Sequence, residues 1–297
     1  MTDGLQGMLF GTLGDDDEDA AVTPGAKAEL RVCALNVNSP SPARGQRLLD
    51  WLLATKCNTL VLTELQPTGG GRVILTGLEA EGFRLSCTAG WEGSRFLTTV
   101  ATRGLDVVAV EPAAFDPRVV AVDLAADGRT VRMVGVYAPT NGMTADSSTR
   151  RRDFQQQLLK HLTAINRPAL CVIGDLNVIE PGHRPSLPGF ESHDYAFYTA
   201  LLDLGLLDAY RTLQPQGSDH SWISARFGNQ RLDHALIGHN VGTIRECGYD
   251  HGPRQQQLSD HAAVLITVQL DPSPLRAARA APTNTRRHTL NHQPTRD

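Results

Sequence analysis

Acidic and amide side chains follow several apolar stretches of this 297-residue chain. In the clearest case an apolar run begins at Cys171, stops at Gly174 and then presents Asp175 and Asn177. Such a run predicts a buried strand, and alternation beyond it directs both polar side chains to one face. Taken alone, the pattern fits a turn with a capping aspartate equally well. Its meaning therefore depends on the other polar residues of the chain.

Further polar residues stand at the ends of other predicted strands, and they are Asn36, Glu64, Asp233, Asp260 and His261. Cleavage of a phosphodiester needs an activated nucleophile, a divalent cation and a donor to the charge that develops on the phosphate. Oxygen ligands without cysteine or several histidines favour Mg²⁺, with Mn²⁺ as a substitute, over zinc. The set therefore predicts metal-dependent phosphoester hydrolysis.

Three elements near the start of the chain must position Asn36 and Glu64. Apolar alternation predicts a strand over residues 30–36, helical spacing predicts a helix over 46–53, and a second buried strand follows over 58–64. A strand, a helix and a strand in succession predict a parallel pair. Both side chains then fall at the carboxyl ends of neighbouring strands, where α/β proteins gather their chemistry.

The middle of the chain predicts mostly strands. Residues 83–137 indicate five consecutive strands, a meander with a hairpin at residues 126–129. Helices are predicted over 150–165 and 194–204, and short strands over 220–224, 231–237 and 262–270. Three arginines, residues 150–152, would stand at the start of the first helix, against its dipole. They suggest an anionic partner, although a solvated surface cluster explains them at least as well.

Charge and composition divide the chain into three parts. Residues 1–26 carry a charge of −6, residues 271–297 carry +3, and the region between them carries −1. Both ends are poor in large apolar residues, so we expect an acidic and a basic disordered tail around one catalytic domain over residues 27–270. The nearly neutral charge of this domain does not by itself indicate that the protein binds nucleic acid. A nucleic-acid function must therefore be argued from local arginines and from the site.

The sequence also bears on the compartment. It has no run of 18 apolar residues and no basic, apolar leader at its start, which predicts a cytoplasmic protein without a membrane partner. The five cysteines show no Cys-x-x-Cys spacing, which disfavours zinc and suits reduced thiols.

Seven short motifs stand in an order that resembles a known family. They are Leu35-Asn36-Val37-Asn38, Thr63-Glu64, Val136-Tyr137-Ala138-Pro139, Gly174-Asp175-Leu176-Asn177, Ser221-Trp222, Arg231-Leu232-Asp233 and Ser259-Asp260-His261. Over residues 30–270 they resemble the endonuclease–exonuclease–phosphatase superfamily, in particular its exonuclease III and apurinic/apyrimidinic endonuclease branch. The resemblance implies a DNase I-like fold of the α/β class: a four-layer α-β-β-α sandwich with two facing mixed sheets and the site in a cleft at one rim.

The resemblance also implies roles for single residues. Glu64 would hold the metal with Asn36 and Asp260, and Asp175 would activate water or serve the leaving oxygen. Asn177 would position water or phosphate, Tyr137 would donate to the phosphate, and His261 would contact a non-bridging oxygen with its ring fixed by Asp233. Substrate would be bound by Asn141, Trp222, Leu232, Arg44 and Arg47. DNA is then the leading substrate of a monomeric enzyme, with a repair endonuclease, an exonuclease and a 3′-phosphatase left open.

Some positions depart from the family pattern. Thr63-Glu64-Leu65-Gln66 replaces the usual Gln-Glu-Thr-Lys, so a lysine near the metal is missing. Gln230 replaces an aromatic residue that some members place beside an abasic sugar, and the glycines at 69–71 suggest reduced DNA-gripping loops. These departures keep two alternatives open: a phosphatase or phosphodiesterase for a small or lipid phosphoester, and a non-catalytic adaptor. The adaptor is disfavoured because every acid of the set is present.

A short apolar island lies in the acidic tail. Gln6-Gly7-Met8-Leu9-Phe10 resembles the pentapeptide that binds the bacterial sliding clamp, with Gln6, Leu9 and Phe10 at the anchoring positions. An incidental apolar cluster remains the more frequent explanation for so short a motif. A clamp would nonetheless raise the effective concentration of the enzyme on DNA.

Overall fold

Two six-stranded sheets form the centre of the structure, a computed structural model that describes residues 28–87, 96–112, 115–126, 128–140, 142, 144–165 and 169–271. The first sheet has the order β13 (Gly242–Asp250), β14 (Ala263–Leu270), β1 (Glu29–Asn36), β2 (Thr59–Leu65), β4 (Leu97–Thr102) and β3 (Arg84–Cys87). The second has the order β5 (Asp106–Pro112), β6 (Val119–Ala126), β7 (Arg129–Tyr137), β8 (Leu170–Asp175), β12 (Asp233–Gly238) and β9 (Leu206–Asp208). Both sheets are mixed, since β1 runs parallel to β2 and β7 runs parallel to β8.

Alternating side chains of β1 show how the layers are built. Val32 and Ala34 point into the core between the two sheets, whereas Cys33 and Leu35 face the helices outside the first sheet. Those helices are α1 (Pro42–Ala54) and α2 (Gly69–Ala80). On the second sheet the outer layer is α3 (Ala145–Ile165) and α4 (Ser192–Asp203), which pack through Phe154, Leu158, Phe197 and Leu201. The result is the predicted four-layer sandwich.

The predicted strand, helix and strand at the start of the chain are confirmed. Helix α1 begins after Ser41, whose hydroxyl accepts from the Arg44 amide at 3.4 Å, and Pro42 occupies its first turn. Because β1 and β2 are parallel neighbours, Asn36 and Thr63 pair at the same edge of the sheet. Smaller elements complete the fold: α5 (Ala209–Leu213), α6 (Gly252–Gln255) and a hairpin of β10 (Trp222–Ser224) and β11 (Gly228–Gln230).

The predicted single meander is wrong. Strands β3 and β4 pair with each other in the first sheet, and β5, β6 and β7 form the meander in the second. The chain crosses between the sheets at residues 103–105, where Gly104 has φ +71°. The buried strands of both sheets consist of the same kinds of apolar residue. The local sequence pattern therefore could not show which strand belongs to which sheet.

The predicted start of the helix at residue 150 is also wrong, because α3 begins at Ala145. Thr144 and Ser147 close its first turn, where the Ser147 amide donates to the Thr144 hydroxyl at 3.2 Å. Arg151 therefore lies inside the helix, where its buried side chain forms an ion pair with the buried Asp194. The arginine cluster does not stand at a helix start.

The glycines at 69–71 do not form a reduced loop, because they are the first turn of α2. A Cβ on Gly70 would lie 2.4 Å from the Pro40 carbonyl oxygen, and a Cβ on Gly45 would lie 2.5 Å from the Gly70 carbonyl oxygen. Helices α1 and α2 therefore approach each other as closely as their backbones allow, which requires glycine at these positions.

Several sequence predictions fall outside the described residues. They concern the tails over 1–26 and 272–297, the segment 6–10 and Asn141. None of the helices in the described ranges combines the length and apolar content that a membrane span requires.

Candidate active site

Asn36 connects the two sheets at their shared edge. Its side-chain nitrogen donates to Glu64 Oε1 at 3.1 Å and to Asp175 Oδ2 at 2.9 Å. Its side-chain oxygen accepts from the Asn38 amide at 2.9 Å, which leaves one lone pair for a cation. Asn36 thus orients two carboxylates that come from different sheets.

Glu64 lies at an irregularity in the pairing of β2 with β4. Its φ is +52°, and a non-glycine residue in this conformation costs roughly 1–3 kcal/mol, a strain that clusters at functional sites. The Tyr137 hydroxyl donates to Glu64 Oε1 at 2.7 Å. Burial and the charge of Glu64 hold the pKa of Tyr137 well above its usual range, so the phenol stays a donor. In this structure the Tyr137 hydroxyl donates to Glu64. The family resemblance implies that it donates to the phosphate of the substrate.

Asp175 ends β8 as a buried carboxyl group. Gly174, with φ +142°, precedes it, and a Cβ there would lie 2.1 Å from the Val136 carbonyl oxygen. Burial, followed by the charge of Asp233, raises the pKa of Asp175 to about 8. A carboxyl group with such a pKa can accept and release a proton near neutral pH.

Asn177 follows two residues later, and its backbone amide donates to Asp175 Oδ1 at 3.0 Å. Its side-chain nitrogen donates to the Ala138 carbonyl at 2.8 Å. The residue has φ +49°, which asparagine tolerates better than most residues. Asp175 and Asn177 line the same cleft, as the sequence predicts.

His261 and Asp233 form a buried pair, with His261 Nδ1 2.7 Å from Asp233 Oδ2. Burial alone would lower the pKa of His261, but the charge and the hydrogen bond of Asp233 raise it to about 10. The ring is therefore an imidazolium near neutral pH, and its Nδ1–H is fixed by the carboxylate. The structure brings these two residues into the contact that the family resemblance implies.

Asp260 is exposed next to this pair, and both of its oxygens accept hydrogen bonds. Asn38 Nδ2 donates to Oδ1 at 2.8 Å, and Trp222 Nε1 donates to Oδ2 at 3.1 Å. Trp222 also forms an isolated backbone bridge with His261. Asp260 is thus held at the cleft by a residue of the loop after β1 and by a residue of β10.

A cleft of about 310 Å³ lies at this edge of the sheets, and Asn36, Tyr137 and Asp233 are not among its lining residues. Seven of the predicted residues line it: Glu64, Asp175, Asn177, Trp222, Leu232, Asp260 and His261. Arg44 and Arg47 do not, because Arg44 donates to the Asn38 carbonyl and Arg47 to the Gln256 carbonyl at 2.8 Å. Both lie beside the site on α1, and Arg47 is exposed.

The sequence prediction missed an aromatic wall of this cleft. Phe227, between β10 and β11, stacks on Trp222 with ring centroids 6.3 Å apart, and Phe190 lines the cleft as well. Gln230 also lines the cleft, beside these aromatic residues. The available signal was an aromatic residue in the turn that follows the Ser221-Trp222 motif.

Two arrangements could hold a cation. The family resemblance points to Glu64, Asn36 and Asp260, whereas Asp175, Asp233 and His261 place ligand-type atoms within 4.8 Å of one another. In the second group the imidazole is already bonded to Asp233 and carries a positive charge, which opposes a cation. The carboxylate oxygens of Glu64 and Asp260 suit a hard cation such as Mg²⁺ better.

A larger cavity of about 790 Å³ lies beside Glu180 and Arg211 and shares no lining residue with the cleft. Three of its lining residues belong to one ion-pair network: Glu180 binds Arg211 and the buried Arg231, and Arg231 also binds Asp208 at 2.8 Å. The polar residues predicted for chemistry are all elsewhere.

Solved structures resemble this chain over most of its length. A 3′ phosphatase, NExo, from Neisseria, bound to product DNA hairpin, matches with a TM-score of 0.67 and 21% identity over 82% of this chain and 99% of its own. An AP endonuclease from Archaeoglobus fulgidus matches with a TM-score of 0.68 and 18% identity over 81% and 100%. A 3′-5′ exonuclease from Neisseria meningitidis matches with a TM-score of 0.66 and 22% identity over 81% and 99%.

The chain has the fold of these three enzymes. This confirms the α/β sandwich that the seven motifs imply. A scan against protein-family models finds no match, and neither does a search of curated proteins.

Proposed function

We propose that this protein is a Mg²⁺-dependent phosphodiester hydrolase that acts on DNA. One observation carries the proposal: Glu64, Asp175, Asp260 and His261 line one cleft, in which Asn36 bridges two acids and Asp233 fixes the histidine. A cation site, a proton acceptor and a fixed positive donor are the three groups that phosphodiester hydrolysis requires. The similarity to a phosphatase, an endonuclease and an exonuclease supports this reading.

Glu64 and Asp260 would hold the metal, with the free lone pair of Asn36 Oδ1 as a third ligand. When bound, Mg²⁺ supplies Lewis-acid stabilisation of the negative charge on the phosphate. Tyr137 and Asn36 each donate to Glu64 Oε1, so they keep the carboxylate directed at the cleft. Asn38 and Trp222 each donate to one oxygen of Asp260, so they keep the Asp260 carboxylate directed at the cleft.

Asp175 would take the proton of the attacking water, since its raised pKa suits proton transfer near neutral pH. Asn177, held against the Asp175 carboxyl group, would position that water or the phosphate. His261 would donate from Nε2 to a non-bridging phosphate oxygen, because its Nδ1 is engaged by Asp233. The imidazolium charge would stabilise the extra negative charge of the transition state.

The aromatic wall favours a nucleic-acid substrate over a small phosphoester. Trp222, Phe227 and Phe190 line the cleft together with the acids, and the bases of an opened strand stack on aromatic side chains. Repair at abasic sites, 3′-exonuclease action and 3′-phosphatase action would differ in how the DNA end or sugar is seated against this wall.

The test compares four substrates at equal concentration: intact duplex, duplex with one abasic site, duplex with a 3′-phosphate, and a small phosphoester. Each is incubated with Mg²⁺, with Mn²⁺ and with chelator. We expect DNA cleavage that chelator abolishes and Mn²⁺ partly restores. Hydrolysis of the small phosphoester alone would instead support the second candidate function, which the nearly neutral charge of residues 27–270 favours. Absence of all hydrolysis would support the adaptor.

We also propose that residues 6–10 bind a bacterial sliding clamp. The segment carries Leu9 and Phe10 next to an acidic run that does not suit direct contact with DNA. Titration of a peptide of residues 1–14 with the clamp should show binding that is lost when Leu9 and Phe10 are replaced by alanine. Absence of binding at high micromolar concentration would reject the proposal.

A further inference from the structure

Two serine hydroxyls accept hydrogen bonds from the backbone of the His261–Asp233 pair: Ser259 from the His261 amide and Ser221 from the Asp233 amide. Ser259 lies in the loop before β14, and Ser221 lies directly before β10. Both side chains are buried, at 6% and 0% exposure. Neither residue lines the cleft.

Ser259 links Asn36, one of the proposed metal ligands, to His261. Its hydroxyl donates to the Asn36 carbonyl oxygen at 2.5 Å and accepts from the His261 amide at 3.1 Å. The hydroxyl proton is used toward Asn36, and a lone pair of the same oxygen receives the His261 N–H, so the two bonds are compatible. The backbone of His261 is thereby tied to the end of β1.

Ser221 links the segment that contains His261 to Asp233. Its hydroxyl oxygen accepts from the backbone amides of Leu232 at 2.9 Å and Asp233 at 3.1 Å. Its own carbonyl oxygen accepts from the Ala262 amide at 2.7 Å, next to His261. Tyr249 holds the other side of Asp233, since its hydroxyl donates to the Asp233 carbonyl at 2.8 Å.

These bonds form one continuous connection from the first sheet to the second: Asn36, Ser259, His261, Ala262, Ser221 and Asp233. The distance of 2.7 Å between His261 Nδ1 and Asp233 Oδ2 is set by two segments that are distant in the chain. It therefore depends on how those two segments are placed relative to each other. We infer that Ser259 and Ser221 are positioning residues that set the orientation of the His261 ring relative to Asp233. The inference rests on the proposed function and adds to it the residues that align its donor.

Removal of either hydroxyl leaves buried amides without an acceptor, so the backbone moves to find one. A shift of about 1 Å would misdirect Nε2, and a misplacement of this size can lower turnover about 100-fold. A merely structural hydroxyl would lower the melting temperature without changing the environment of the His261 ring.

The test uses Ser259→Ala and Ser221→Ala, together with Ser147→Ala as a matched control. Ser147 is also 6% exposed, and its hydroxyl donates to the Thr144 carbonyl at 2.8 Å at the start of α3. Two readouts are taken: kcat and KM on the DNA substrate, and the downfield proton resonance of His261 Nδ1–H in the protein without added metal. The resonance is assigned through its loss in His261→Gln.

We expect kcat to fall about tenfold or more in both variants with KM changed less than about threefold, and the resonance to shift or broaden. Ser147→Ala should lower the melting temperature and leave both readouts unchanged. Unchanged kcat and an unchanged resonance in the two variants would overturn the inference. The resonance decides the question even if the wild-type protein cleaves no DNA, so failure of the proposed function remains distinguishable.

Where an alanine variant fails to fold, cysteine at the same position preserves the packing with a much weaker hydrogen-bonding group. Ser259→Cys and Ser221→Cys should then give a smaller fall in kcat and a shifted resonance. Wild-type values of both in the cysteine variants would also overturn the inference.

Discussion

The side-chain nitrogen of Asn36 donates to Asp175 Oδ2 at 2.9 Å, although the two residues are 139 positions apart in the chain. Asn36 ends β1 in the first sheet, and Asp175 ends β8 in the second. The same nitrogen also donates to Glu64, so a single amide holds a carboxylate of each sheet at the edge of the cleft.

Glu64→Gln should remove most activity and leave the fold intact. The substitution keeps an acceptor for Tyr137 and Asn36 but removes the negative charge that the cation requires. Since such a cation contributes several kcal/mol to transition-state stabilisation, we expect turnover to fall about 100-fold or more and Mg²⁺ affinity to fall with it. Calorimetric titration of Mg²⁺ and initial rates check this. Glu29→Gln at the exposed start of β1 is the control, and wild-type turnover in Glu64→Gln would contradict the metal assignment.

His261→Ala combined with Asp233→Ala should be little slower than His261→Ala alone. Asp233 acts through the bond at 2.7 Å, so it has nothing to orient once the imidazole is absent. The measurement is kcat/KM for the two single variants and the double variant. Losses that multiply would show independent roles for the two residues, whereas lowered melting temperatures with little loss of rate would show a structural pair.

DNA affinity should depend steeply on salt concentration, and exposed arginines near the cleft should carry part of that dependence. Arg47→Glu, Arg150→Glu and Arg152→Glu replace exposed side chains, and each that meets a phosphate should reduce the slope of log K against log salt by about one unit. The matched comparison is Arg132→Met, whose side chain is buried in the ion pair with Asp123 on β6 and does not line the cleft. It should lower the melting temperature instead, because it removes the cation that pairs with a buried carboxylate.

Salt-insensitive DNA binding by the wild-type protein would contradict this prediction and favour a small phosphoester. Unchanged slopes in all three exposed variants would place the DNA on another face.

Glu180 should make the stability of the protein sensitive to acid. Burial alone would raise the pKa of Glu180, but Arg231 and Arg211 lower it from its ordinary value of 4.5 to about 2. A lowered pKa in the folded state stabilises the protein fully above about pH 4.5, and this contribution is lost as the pH falls toward 2. The free energy of unfolding in urea, measured from pH 7 to pH 2, should therefore fall in that interval.

Glu180→Gln should be less stable at pH 7 and should show a flatter acid dependence, since the variant has no proton to take up at this position. The exposed Glu81→Gln is the control and should follow the wild-type curve. A variant at residue 180 with the same acid dependence as the wild type would contradict the assigned role of Glu180.

Local patterns in the sequence were enough to predict the strands that carry Asn36, Glu64 and Asp175 at or next to their last residue. Each strand is a run of apolar residues, and each run ends at a polar residue whose position can be counted along the chain. The parallel pairing of β1 and β2 followed from the helix between them. The order of the seven motifs was also enough to indicate the four-layer fold.

Sheet membership could not be derived in the same way. The strands β4 and β6 are both buried on their two faces, so no alternation distinguished the first sheet from the second. The start of α3 was missed because its first turn is polar and has no apolar periodicity. For the same reason Arg151 was counted with its exposed neighbours, although its partner Asp194 lies on another helix.

The sequence by itself determined which chemical groups this protein carries to the ends of its strands, because strand ends and side-chain alternation depend on residues close together in the chain. The tertiary structure decided which of those groups meet. Only the packing of the two sheets brings Asn36 onto Asp175 and His261 onto Asp233, and only the hairpin of β10 and β11 brings Phe227 into the cleft. Contacts of this kind join residues that are distant in the chain, and their geometry depends on the positions of whole layers rather than on any local pattern.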